Sequence, residues 1–191
     1  MIELLVVGAT LTLAVWAAGA QAHRRSVASR ALDRYAQSRG AVFVPPPAHP
    51  RGASPRVVGT RDDVPYVVEL IRLGGEVRTR LTATPPRGRA PVLSVLQRGM
   101  FTTAKPATLR LRDEAFDRAY LVTGGASHDA EALRVARGAL LFLDDRCRGV
   151  WLSADGAKIA ASWIGAESDP LVLDAARDAV VALAGLHLPE A

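Results

Sequence analysis

Cysteine occurs once, as Cys147, so the chain forms no internal disulfide and no multi-cysteine metal site, and it suits a reducing compartment. The four histidines, His23, His49, His128 and His187, stand far apart. None has HExxH spacing or neighbours the cysteine, which leaves no local zinc signature. Aromatic residues make up only 5% of the chain, too few for a base-stacking surface. The basic residues, 22 arginines and two lysines, follow no helix-turn-helix, zinc-finger or RNP pattern, so a nucleic-acid partner is not expected. There is no internal repeat. Acidic residues are scarce in one half: positions 24–110 hold 16 Lys/Arg against 5 Asp/Glu, and positions 111–191 hold 8 against 13.

What the chain does have is a long apolar run at its start. Met1–Ala22 carries no charge after Glu3. Nineteen helical residues at about 1.5 Å each reach roughly 29 Å, the thickness of a bilayer's hydrocarbon. This predicts a transmembrane anchor over 1–22. His23, Arg24, Arg25 and Arg30 follow the run, so the positive-inside rule directs the remainder to the cytoplasmic face of the inner membrane. The run is expected to meet the lipid bilayer, and Arg24, Arg25 and Arg30 to meet anionic headgroups. Ala20-Gln21-Ala22 matches an A-x-A cleavage pattern, and the alternative is an exported protein with its signal removed.

Positions 23–40 read as a basic juxtamembrane helix, with Val27, Ala31 and Tyr35 recurring at helical spacing and Gly40 as its stop. It lies either against lipid or against the domain. Positions 41–55 are a Pro-rich connector, and Pro45-Pro46-Pro47 makes it semi-rigid. From 56 to 186 the pattern is that of one α+β domain, followed by a short tail, 187–191. Val77, Thr79, Leu81 and Ala83 alternate with Glu76, Arg78, Arg80 and Thr82, which marks an antiparallel sheet with one buried and one wet face. Phe116–Thr123 reads as a further strand. Helices are expected over 129–145 and 170–184, burying Leu133, Leu140, Leu173, Val180 and Leu183; Trp151 and Trp163 suit either face of the sheet. The fold class expected is thus α+β: an N-terminal transmembrane helix, then one domain with a mainly antiparallel sheet covered by two helices.

No constellation announces chemistry. Cys147 lies between Arg146 and Arg148, and cationic neighbours lower a thiol pKa, but a helix end before a strand is equally the place of an inert buried cysteine. Gly124-Gly125-Ala126-Ser127-His128 joins a strand to a helix, with glycine spacing that fits neither a P-loop nor a dinucleotide fingerprint. It reads as a turn with a capping serine. Asp62-Asp63 and Asp144-Asp145 are sequence neighbours rather than paired acids facing one substrate. No catalytic, cofactor-binding or metal-binding residue is assigned.

The order of apolar run, basic helix, GTRDDVPYVVEL (Gly59–Leu70), FDRAYLV (Phe116–Val122), acidic helix start, strand pair and terminal helix resembles families of uncharacterised bacterial single-pass membrane-anchored proteins. The resemblance implies core positions for Phe116 and Tyr120 and transfers no activity. The expected function is a non-enzymatic binding or scaffold module at the membrane with an unknown protein partner. The alternative is a tethered enzyme with a dispersed site built on Ser127, His128 and an acidic residue.

Overall fold

The structure is a computed structural model that describes residues 26–47, 54–86, 90–99, 109–124 and 129–185. Eight strands form one sheet: β1 (Val42–Val44), β2 (Arg56–Arg61), β3 (Val64–Leu73), β4 (Glu76–Ala83), β5 (Val92–Gln97), β6 (Tyr120–Gly124), β7 (Trp151–Asp155) and β8 (Ile159–Ile164). The helices are α1 (26–39), α2 (Glu114–Ala119), α3 (Asp129–Arg146) and α4 (Pro170–Ala184). Sheet order is β1-β2-β3-β4-β8-β7-β5-β6, antiparallel throughout. The late β7–β8 hairpin fills the gap between β4 and β5 and so closes two early sub-sheets into one.

Alternation in the strands puts Val57, Tyr66, Val68, Leu81, Val95, Val122, Leu152, Ile159, Ala161 and Trp163 on one face. There they meet Leu133, Leu140 and Leu143 of α3, Leu173, Val180 and Leu183 of α4, and Leu32 and Tyr35 of α1 in a single core. The helix layer thus comprises more than the two expected helices. In α1 the buried side is Ala28, Ala31, Leu32, Tyr35 and Ala36, so this helix lies against the domain. Because β1 pairs with β2, the sheet begins before the proline-rich positions.

Local signals explain the boundaries. Asp169 caps α4 by accepting from the Leu171 N–H at 2.9 Å, and Pro170 opens the helix, where no donor is needed. Gly74 and Gly75 both take positive φ in the β3–β4 turn, as a two-residue hairpin requires. Gly59 serves a close approach instead. A Cβ there would lie 2.6 Å from the Tyr66 ring on the neighbouring strand. Gly59→Ala must displace a buried tyrosine, and we expect a loss of about 1–3 kcal/mol in urea unfolding.

Two expectations are corrected. Among the described residues no helix is long and apolar enough to cross a membrane, and the fold class these residues show is an eight-stranded antiparallel sheet with helices on one face, in place of the transmembrane helix and single domain expected. The run Met1–Ala22 that motivated the span lies outside the described residues, as do Arg24 and Arg25. Phe116 is helical rather than the start of a strand. Asp113 accepts from the Phe116 N–H at 3.0 Å, and this cap turns Glu114–Ala119 into α2 before β6 begins at Tyr120. Phe116 and Tyr120 are both buried, with ring centroids 5.2 Å apart, and the Tyr120 hydroxyl donates to the Leu140 carbonyl at 2.6 Å.

Candidate interaction surface

With the helices gathered on one side, the other face of the sheet is left to the alternate residues of all eight strands. Their registers align two rows across the sheet. One row runs Val42, Val58, Val67, Thr82, Ala160, Ser153, Ser94 and Thr123. Beside it run Val44, Arg56, Glu69, Arg80, Ser162, Trp151, Leu96 and Leu121. The first row is floored by small or β-branched side chains, bulkier on β1–β3 and smaller on β8, β7 and β5. An open antiparallel face is normally wet and polar. This one holds Val42, Val58, Leu73, Val92 and Trp151, five of the eight exposed large apolar side chains of the described residues.

Two pairs of charges on this face meet one another, and Arg56 stays exposed. Arg80 reaches Glu69 across the β3–β4 pair at 2.6 Å. Arg78, expected on the wet side, is instead buried between Ile71 and Ile164, and its guanidinium donates to the Gly149 carbonyl. Trp151 is held rather than loose: its indole N–H donates to Ser94 Oγ at 2.9 Å. The two tryptophans therefore occupy opposite faces, with Trp163 in the core and Trp151 38% exposed.

On the helix side, a polar cluster fastens α1 to α4. Asp174 accepts from the Tyr35 hydroxyl at 3.0 Å, pairs with Arg177 at 2.8 Å and takes the Arg39 guanidinium. Burial pushes the Asp174 carboxyl up, but the Arg39 hydrogen bond, the Arg177 charge and the Tyr35 hydrogen bond outweigh it and leave the group below its ordinary value. The same surroundings, burial foremost and the Asp174 charge next, push the Tyr35 phenol well above its ordinary value. Val27, Arg30, Asp33 and Arg34 line an open depression of about 440 Å³ on the outer side of α1.

The residues weighed for catalysis are dispersed or occupied. Cys147 is buried, and its thiol is pushed up to about 12 by burial first and by Glu167 and Asp169 next, against the lowering effect of Arg146. Such a thiol stays protonated near neutrality. We expect it to be alkylated by a maleimide only after denaturant is added, a contrast that mass spectrometry of native and unfolded chain measures directly. The Asp144 carboxylate accepts from Gln97 Nε2 at 2.7 Å. Gln97 also donates to the Cys147 carbonyl and receives the Val150 N–H, so this acid belongs to the pin between α3 and β5. Asp62 and Asp63 form the β2–β3 turn with positive φ, and Asp145 lies 3.4 Å from Arg146. Ser127, His128, His23, His49 and His187 lie outside the described residues. Among the described residues no group of three or more His, Cys, Asp or Glu is placed to hold a metal ion.

Register was the information missing from the sequence reading. Alternation in β4 announces a wet face, but only strand pairing reveals that valines from β1, β2 and β3 align on it. The molecule is thus an α+β domain with one sheet face buried under helices and the other presented. No family model and no curated relative matches this sequence. Among solved structures, it is similar to the mycobacterial trehalose monomycolate transport factor A, TtfA, over 85% of this chain and 98% of that chain. The TM-score is 0.53 and the identity 16%, a likeness of fold.

Proposed function

We propose that this chain is a non-enzymatic binding module, a factor in the transport of a lipid, and that it engages its partner through the uncovered sheet face. The observation that carries the proposal is the gathering of five exposed large apolar side chains on that face, opposite a fully covered one. Of these, Val42 and Val58 adjoin each other and Val67 across β1–β3, and adjoining exposed apolar surface marks an interaction site, whereas single scattered residues do not. The lipid-transport setting extends to this chain what the name of its structural neighbour says of that protein. Supporting the non-enzymatic part, Cys147 is buried and protonated, and Asp144 is occupied by Gln97.

In this reading the module works at the cytoplasmic face of the inner membrane. Arg30 and Arg34, exposed on α1, and Arg24 and Arg25 before them in sequence draw it to anionic headgroups at about 1 kcal/mol each.

The test is affinity purification of the tagged chain from its own cells. Val58→Glu and Trp151→Glu should each lower partner recovery about tenfold, because a charge buried in a contact costs more than the ~1.4 kcal/mol that tenfold represents. Arg118→Glu, on the exposed side of α2, should leave recovery unchanged. Equal recovery with all three variants would remove the sheet face from the proposal.

A further inference from the structure

We infer that the partner seated on the uncovered sheet face is a second copy of this chain, in a two-fold, sheet-to-sheet dimer. The inference rests on the reading of that face as the binding surface and adds the identity of its occupant.

Size supports it first. Eight strands about 4.8 Å apart span ~34 Å, and five residues along a strand reach ~17 Å, a footprint of roughly 600 Å² before side-chain relief is counted. A stable interface takes about 800 Å² from each partner, so the whole face, with its side-chain relief, must be used. A single helix, ~10 Å wide, laid along the strands covers less than a third of the ~34 Å span. A second sheet of the same extent, packed aligned at a spacing of ~10 Å, covers it all.

Shape supports it independently. The sheet divides into four strands and four, β1-β2-β3-β4 and β8-β7-β5-β6. A two-fold axis parallel to the strands, between β4 and β8, brings β2 of one copy over β5 of the other, and β3 over β7. Along the aligned row this sets Val58 on Ser94 and Val67 on Ser153, with Thr82 meeting Ala160 at the axis. In both directions Val58, Val67 and Thr82 land on the smaller Ser94, Ser153 and Ala160, as an isologous contact requires, while Val42 meets the equally bulky Thr123 at each edge. Glu69 and Arg80 neutralise each other at 2.6 Å, and Arg56, the exposed cation on the second row, falls over Leu96 on the second strand from the edge.

The test uses the full 191-residue chain in mild detergent with Cys147→Ala as background. Val58→Cys combined with Ser94→Cys is treated with a short bismaleimide. Within one copy these positions lie five strand spacings apart, ~24 Å, beyond the reagent. The inference expects a covalent dimer at micromolar concentration, its loss when Val67→Glu is added, and no dimer from Arg118→Cys. Sedimentation of the unaltered chain, which needs no variant to fold, should give a two-chain mass. A single-chain mass, or cross-linking through Arg118→Cys as strong as through the sheet face, overturns the second copy. The binding-face reading then stands or falls separately, on whether Val58→Glu reduces recovery of a different protein.

Discussion

Trp163→Ala should cost about 3–5 kcal/mol and leave little folded protein at growth temperature. Trp163 is 1% exposed on β8, packed in the core, and its indole N–H donates to Glu167 at 3.3 Å. Truncation opens a cavity where the sheet meets the helix layer. It also leaves Glu167 without one partner in a loop where that carboxylate already receives the Ser168 and Asp169 N–H groups at 2.8 Å. Trp151→Ala, on the next strand but facing outward, removes a half-exposed ring and one hydrogen bond to Ser94. Its stability loss should stay within about 1 kcal/mol. Urea unfolding of the two variants side by side measures the contrast. If Trp151→Ala proves as damaging as Trp163→Ala, the outer face is part of the core and not a presented surface.

The second large effect is expected at Asp174. Removing this carboxylate leaves the Arg177 guanidinium, only 9% exposed, with Asp178 as its remaining acid, and frees the buried Tyr35 hydroxyl and Arg39. A buried charge that loses a partner costs several kcal/mol; with Asp178 still present, about 2–4 kcal/mol is expected for Asp174→Ala. The loss should concentrate on α1, whose other contacts are mostly alanines around Leu32 and Tyr35. Amide exchange should therefore rise over 26–39 before it rises in the sheet. The sign of the pH dependence follows from the shift. The folded-state pKa of Asp174 is depressed, so its contribution is fully present above the ordinary aspartate range. It is lost as pH falls through the folded value. Wild type should thus lose more stability on acidification than Asp174→Asn, and the two curves should converge at the acid end.

Much of the helix layer is written locally. Asp169-Pro170 announces the start of α4, and the spacing of Leu173, Val180 and Leu183 gives the buried side. The glycine pair 74–75 announces the β3–β4 turn with the φ values it needs. Helix α2 was not legible, because a six-residue helix held by one Asp113 cap leaves the following strand's alternation dominant in the pattern. Nor was the sheet order, since the insertion of β8 and β7 between β4 and β5 joins residues about eighty apart, such as Thr79 and Trp163. Burial of Arg78 was hidden for the same reason, as its acceptor, Gly149, comes from the distant approach to β7. The expected membrane span was read from the length and apolarity of Met1–Ala22, which lies outside the described residues. The longest described helices, α3 and α4, carry charged residues such as Arg134 and Asp178 among their turns and cross no membrane. The interaction surface was half legible: period two predicted a second face, but not that apolar side chains from five strands would share it.

The central claim is that this chain works by presenting the outer face of its sheet. Site-specific photo-cross-linking in living cells tests it most directly, with the photoreactive residue placed in turn at Val58, Trp151, Val135 and Arg118. All four positions are exposed, two on the sheet face and two on the helix layer. The account predicts discrete covalent adducts from Val58 and Trp151 and none from Val135 or Arg118. Adducts confined to Val135 and Arg118 would contradict it.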